Sequence, residues 1–249
     1  MEDKFFLGRL TRVMNCYSPA PRLTRSLPIR YVEESLYAFL SLALEGRLSN
    51  TVLQETRCGL WKRIHLLYLH STQLTKPIST CFEFHLRVSL ALDGNLTLIS
   101  RVRNINSKPF SFSIAYHTYF SISDISEVRV EGLETLDYLD NLFEKERFTE
   151  QGDALTFESE VDRVYLNSRD VVAVFDHEKK RTFLIKKEGL PDVVVWNPWD
   201  KKAKALTDLG DEEYKHMLCV DGAAIEKPIN LKSGEEWTGK LNLSLVLST

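Results

Sequence analysis

From about residue 80 onward the chain alternates apolar and polar side chains with a period of two. This constrains its fold more than any other feature. In "CFEFHLRVSLAL", residues 81–92, Phe82, Phe84, Leu86, Val88, Leu90 and Leu92 share one parity. Strand side chains point alternately to opposite faces, so such a run is a strand with one buried face. Asp93-Gly94 then supplies a tight turn, because glycine tolerates positive φ, and "NLTLISRVRNI" returns with the same period. Further strands read at "EVRVEG", "DRVYLN", "VVAVFDH", "RTFLIKK", "DVVVWN" and "KLNLSLVL". Only 139–147 and 211–217 look able to form a helical turn or two. Many short strands without helical crossovers predict an all-β fold, an antiparallel sandwich.

Within this region "SFSIAYHTYFSIS", residues 111–123, places a histidine in a strand. Phe110, Phe112, Ile114, Tyr116 and Phe120 fall on one parity and read as core. Ser111, Ser113, Ala115, His117 and Tyr119 fall on the other. That second face is a floor of small residues leading to His117, with room above it for a ligand. A lone strand histidine is more often a surface or structural group, so its meaning depends on partners.

Residues 1–79 read differently. They show no sustained period, and the apolar run "LYAFLSLAL" at 36–44 lies between polar stretches without turn chemistry. The expected organisation is an irregular segment over 1–79 followed by a sandwich domain over 80–249. That apolar run is far short of the ~20 residues a membrane span needs, so no membrane association is expected. A net charge of −3 argues against a general nucleic-acid partner. Cys16, Cys58, Cys81 and Cys219 are scattered without a CxxC, and the six histidines form no HxH or HExxH. Spacing therefore indicates no metal site, and the cysteine usage suits a reducing compartment. Lys4 and five arginines stand in 4–32 without an acid, a faint transit-peptide composition opposed by Glu2 and Asp3. A cytoplasmic monomer is the expectation.

Four longer motifs add to this reading: "AYHTYF" at 115–120, "VDRVYLNS" at 161–168, "VVVWNPWDKKAKALTDLGDEEYKHMLCVDGAAIEKP" at 193–228 and "SGEEWTG" at 233–239. On these, residues 80–246 resemble the hexose-6-phosphate mutarotases, or glucose-6-phosphate 1-epimerases, of the aldose 1-epimerase superfamily, with the plant members most alike. The resemblance implies a galactose-mutarotase-like β-supersandwich lacking some N-terminal strands, and cofactor-independent interconversion of hexose 6-phosphate anomers. That chemistry needs one base for the anomeric hydroxyl and one acid for the ring oxygen. By resemblance His117 is the acid and Asp162 contacts sugar hydroxyls. The base, commonly glutamate in a "CVE" position, corresponds to Asp221 in "CVD". Aspartate is one methylene shorter, and Gly222 could permit a compensating approach. Glu226 is the rival carboxylate. Trp196 or Trp199 could border the sugar, although core positions are commoner for tryptophan in a sandwich. Arg101 and Arg103 share a strand face but read as exposed.

The family's upstream segments, close to "RGGIPICFPQFG" and "LEQHGFARN", are absent. They carry arginines suited to the sugar phosphate. Back-translating "RYVEESLYAFLSLA", residues 30–43, and reading one base upstream of each codon can give V-R-G-G-I-P-I-C-F-P-Q-F-G. The same offset applied to "RLSNTVLQETR", residues 47–57, can give L-E-Q-H-G-F-A-R-N-K. Two motifs in order and in one frame imply that roughly residues 28–75 are translated out of the family frame. A second reading follows from these departures: a non-catalytic carbohydrate-binding sandwich, or an inactive truncated homologue.

Overall fold

A computed structural model describes residues 4–13, 61–71, 82–91, 94–206 and 209–247. They form fourteen strands in two antiparallel sheets of seven. The strands are β1 Lys4–Val13, β2 Trp61–Ser71, β3 Phe82–Ala91, β4 Leu96–Asn104, β5 Phe110–Ser121, β6 Val128–Glu131 and β7 Asp137–Asp140. They continue as β8 Glu146–Thr149, β9 Val161–Tyr165, β10 Val171–Asp176, β11 Arg181–Glu188, β12 Asp192–Asn197, β13 Met217–Leu231 and β14 Glu236–Leu247. The first sheet runs β1-β3-β4-β14-β11-β10-β6, and the second β2-β5-β13-β12-β9-β7-β8. No helix among the described residues is long and apolar enough to cross a membrane.

The period-two pattern decides which face each strand buries. Leu86, Val88, Leu98, Val102, Val174, Phe183, Ile185, Leu241 and Leu243 turn inward from the first sheet. Phe112, Ile114, Tyr116, Phe120, Val193, Val195, Leu218 and Val220 meet them from the second. Phe120 and Phe183 pack across the interface with ring centres 5.1 Å apart. Tyr116 donates its hydroxyl to Ser100 Oγ at 2.8 Å, and burial pushes the phenol up to about 12. This bond satisfies a polar tip that would otherwise be costly in an apolar layer. Gly94 closes the β3–β4 hairpin with φ +83°, as its place in the sequence predicts.

The stretch expected to be irregular, 1–79, contributes β1 at one edge of the first sheet and β2 at one edge of the second. The remainder of that stretch lies outside the described residues. An edge strand pairs through backbone groups, so unpaired N–H and C=O rows on β3 and β5 can accept extended chain of varied sequence. A second difference is a helix, α1, over Trp199–Ala205, where the sequence suggested none. Only Ala203 of its seven residues is buried, so it carries no amphipathic stripe to read. Asn197 ties this corner to β13 by donating Nδ2 to the carbonyls of Tyr214 and Met217, both at 2.9 Å.

Near the β6 edge of the first sheet, Asp176 is buried and accepts from Ser123 N at 3.1 Å, Lys179 N at 3.2 Å and Arg181 Nε at 2.9 Å. Burial alone would raise its carboxyl, but the Ser123 and Arg181 bonds outweigh it and hold the group below the usual value. Its contribution is present above the unfolded carboxylate range and is lost as pH falls through the depressed folded value. Asp176→Ala leaves the buried Arg181 uncompensated and should cost about 3–5 kcal/mol in chemical denaturation at neutral pH. A loss below about 1 kcal/mol would show that this ion pair does not hold the corner.

Candidate active site

The site grows from the pairing of β5 with β13. Tyr119 stands opposite Cys219, and Ala115 opposite Ala223. Between these positions His117 and Asp221 come together, with His117 Nδ1 and Asp221 Oδ2 3.4 Å apart. Thr118 N donates to Asp221 Oδ1 at 2.5 Å, so the carboxylate takes a backbone donor from the neighbouring strand. His117 Nε2 meets the Tyr119 hydroxyl at 2.9 Å. The result is a continuous chain of polar contacts from Tyr119 through His117 and Asp221 to the backbone of Thr118.

The next strand widens the site. β12 places Trp196 opposite Cys219 on one side and Asp162 of β9 on the other. The Trp196 ring lies 5.4 Å from His117 and 6.1 Å from Tyr119, centre to centre. An aromatic wall therefore stands beside the imidazole. Trp199 takes the core role instead, packing on Tyr214 at 5.4 Å and against the hydrophobic core. Asp162 accepts from Asn141 Nδ2 at 2.7 Å and pairs with Lys202 at 3.5 Å. It faces those groups rather than Arg163, which bonds Asp140, Glu150 and Tyr165.

Burial separates the two central groups. The Asp221 side chain is 1% exposed and that of His117 is 16% exposed. Burial pushes the Asp221 carboxyl up, against the opposing pull of His117 and Thr118. Cys219 is also buried, and burial followed by the Asp221 charge raises its thiol well above the ordinary value. Gly222 faces the core. A β-carbon there would lie 3.0 Å from Leu190 Cδ1 and 3.2 Å from Leu241 Cδ1, so its smallness admits these core side chains.

Glu226 belongs to a separate cluster. The ladder between β13 and β5 shifts register between Ala224 and Ile229. Buried Asp192 holds this irregularity by accepting from Ile225 N at 2.7 Å and Glu226 N at 3.0 Å. The Glu226 carboxylate then bonds Arg147 and accepts from Asn167 Nδ2 at 3.4 Å. Arg101, one of the two strand arginines, is bound bidentately by Glu236 and exposed; Arg103 is exposed beside it. Sequence reasoning missed the Thr118 N–H donor, and no residue-type signal could have revealed it. The Tyr119 contact was visible as shared parity with His117.

The architecture is a two-sheet antiparallel β-sandwich with the His117–Asp221 contact on a face of the second sheet. The chain belongs to the aldose 1-epimerase family, whose profile matches residues 71–244. It is 68% identical over 170 residues to a Cenchrus ciliaris protein named "Putative glucose-6-phosphate 1-epimerase", covering 68% of this chain and 52% of that one. An Escherichia coli protein of the same name is 32% identical over 114 residues, covering 46% of this chain and 38% of its own length. The chain thus spans about half, or less, of the length of these relatives. Among solved structures, a "putative mutarotase (YeaD)" from Salmonella typhimurium superposes with a TM-score of 0.62 at 21% identity, over 75% of this chain and 64% of that one. A GalM/aldose epimerase homologue from C. elegans gives a TM-score of 0.56 at 9% identity, over 76% and 69%. These likenesses show the galactose-mutarotase-like fold.

The raised Asp221 carboxyl has a consequence for stability. Folded protein binds more protons than unfolded protein between the unfolded value near ~3.9 and the higher native value. Stability contributed by this group therefore falls as pH rises across that window. Asp221→Asn keeps an acceptor for Thr118 N–H and removes the ionisation. Its stability–pH profile, measured by urea denaturation, should be flatter above about pH 4 than the parent's. A variant profile as steep as the parent's would contradict the assignment.

Proposed function

We propose that this sandwich interconverts the α and β anomers of hexose 6-phosphates, glucose 6-phosphate foremost, by general acid/base catalysis. The observation that carries the proposal is the contact of His117 with Asp221, walled by Tyr119 and Trp196, in a chain of the aldose 1-epimerase family. The sugar phosphate as substrate is supported by the names of the relatives. Asp221 takes the proton of the anomeric hydroxyl, and His117 gives one to the ring oxygen. The C1–O5 bond breaks, leaving an open-chain aldehyde. Rotation about C1–C2 presents the other face of the carbonyl, and reversal of both proton transfers closes the ring. Each transfer contributes typically about 10²–10⁴-fold. Substrate and product are isomers, so the step calls for no oxidant and no co-substrate. Asp162, on β9 beyond β12, would accept from sugar hydroxyls.

The burial of Asp221 beneath a partly exposed His117 favours a second assignment within the same chemistry. There His117 alone touches the sugar, and Asp221 orients the imidazole and offsets its charge. The two assignments separate by mutation. In exchange NMR on glucose 6-phosphate with a chain carrying the family frame over 28–75, His117→Ala should slow anomer exchange about 10²–10⁴-fold in either case. Asp221→Asn should match that loss if Asp221 is the base, and fall clearly short of it if Asp221 only orients His117. Glu226→Gln should change little, because Glu226 is held by Arg147 and Asn167. Wild-type exchange in His117→Ala would end the proposal.

The out-of-frame reading of residues 28–75 generates its own expectation. Without the arginine-bearing segments, the chain as written should show little or no exchange. A chain carrying the shifted-frame translation over 28–75 should regain both exchange and solubility. Full activity of the literal chain in polarimetry would overturn the frame assignment.

A further inference from the structure

Three side chains at the β5–β13 junction form a combination that neither the sequence spacing nor the epimerase chemistry requires. A Cys219 sulfur, an Asp221 carboxylate oxygen and a His117 ring nitrogen all lie within 4.8 Å of one another. They come from two strands, so no short motif betrays them. We propose that these three residues bind a thiophilic divalent cation, zinc above all, at the floor of the site.

The geometry supports this point by point. Zinc bonds nitrogen and oxygen at about 2.0–2.2 Å and thiolate sulfur at about 2.3 Å, tetrahedrally, so N and O ligands stand about 3.4 Å apart. His117 Nδ1 and Asp221 Oδ2 are 3.4 Å apart. The sulfur, within 4.8 Å of both, closes to roughly 3.6 Å on binding. The other atom of each polar ligand is already held. Thr118 N–H fixes Asp221 Oδ1, while Oδ2 faces His117 Nδ1, on the side where a metal between the two would lie. The Tyr119 hydroxyl engages His117 Nε2, fixing the ring with Nδ1 inward. Outer contacts of this kind orient metal ligands and raise their affinity. A one-sulfur, one-nitrogen, one-oxygen set favours zinc over the hard cations magnesium and calcium. Binding forms one bond to each ligand and releases the thiol proton to solvent, and the Asp221 proton where one is held. Water completes the fourth position.

The consequence rests on the proposed function: a bound ion occupies both the acid and the base, so zinc is a reversible inhibitor of anomer exchange. The site itself is tested without catalysis. Cobalt(II) titrated into the full-length, metal-free chain should give the intense visible bands of a tetrahedral ion and a near-ultraviolet thiolate-to-cobalt charge-transfer band. Cys219→Ser, nearly isosteric, should lose the charge-transfer band and bind about ten-fold or more weakly. Asp221→Asn should keep the charge-transfer band but shift the visible bands and weaken binding. This second variant reports on the site even if Cys219→Ser folds poorly. On the frame-restored chain, Cys219→Ser should exchange anomers at the parent rate while needing about ten-fold more zinc for half inhibition. No charge-transfer band in the parent, or the same band in Cys219→Ser, would overturn the proposal. An inactive protein that still shows the band would sink the functional reading and leave the metal site standing.

Discussion

The acceptance of the Thr118 backbone N–H by Asp221 is the interaction on which the site depends. In an ordinary antiparallel pair that N–H would bond a carbonyl across the ladder. Here a side-chain oxygen takes it, so the carboxylate is stitched into the sheet rather than suspended above it. Its position is therefore fixed by the register of β5 against β13, which in turn is fixed by the core parity of Phe112, Ile114, Tyr116 and Phe120. A one-residue slip would carry His117 into the core and expose the aromatics, and that cost enforces the register. The packing of the sandwich and the placement of His117 and Asp221 are a single constraint.

This arrangement is unfavourable locally. A buried carboxyl resists ionisation, and the cost is offset by bonding elsewhere in the two sheets. Tyr116 and Ser100 bind across the core, Lys187 is buried but donates to the Leu190 carbonyl at 2.7 Å, and Asp176 holds Arg181. The Lys187 bond fixes the turn into β12, where Asp192 begins the strand that carries Trp196. Buried polar groups distant from the site thus set the position of one of its walls.

How much was legible follows from the same physics. The two faces of 111–123 could be read because strand parity is a period of two with no drift, and Phe112, Ile114, Tyr116 and Phe120 fell into the core on one parity as the residues suggested. The Asp221 contact was legible only through family likeness, because 104 residues separate it from His117. Trp196 and Trp199 looked equivalent in "WNPW", yet the chain turns into α1 at Trp199 and sends one ring to the site and the other to the core. Composition carries no sign of that turn. The partners of Glu226 were equally hidden, since its contact with Arg147 exists only through the irregularity in β13.

The exchange of the commoner glutamate for Asp221 can now be given a physical meaning. A longer side chain at this position could reach outward from the sheet while its strand kept the same register. The aspartate instead ends where the Thr118 N–H lies and stays beneath His117. The imidazole is then the exposed end of the pair, with Tyr119 and Trp196 around it. Shortening the carboxylate by one methylene moves the boundary between protein and ligand from the carboxylate towards the histidine. The carboxylate lies close to Cys219 as well, in the mixed sulfur, nitrogen and oxygen cluster at the floor. The length of this one side chain therefore sets both the depth of the carboxylate and its place beside Cys219.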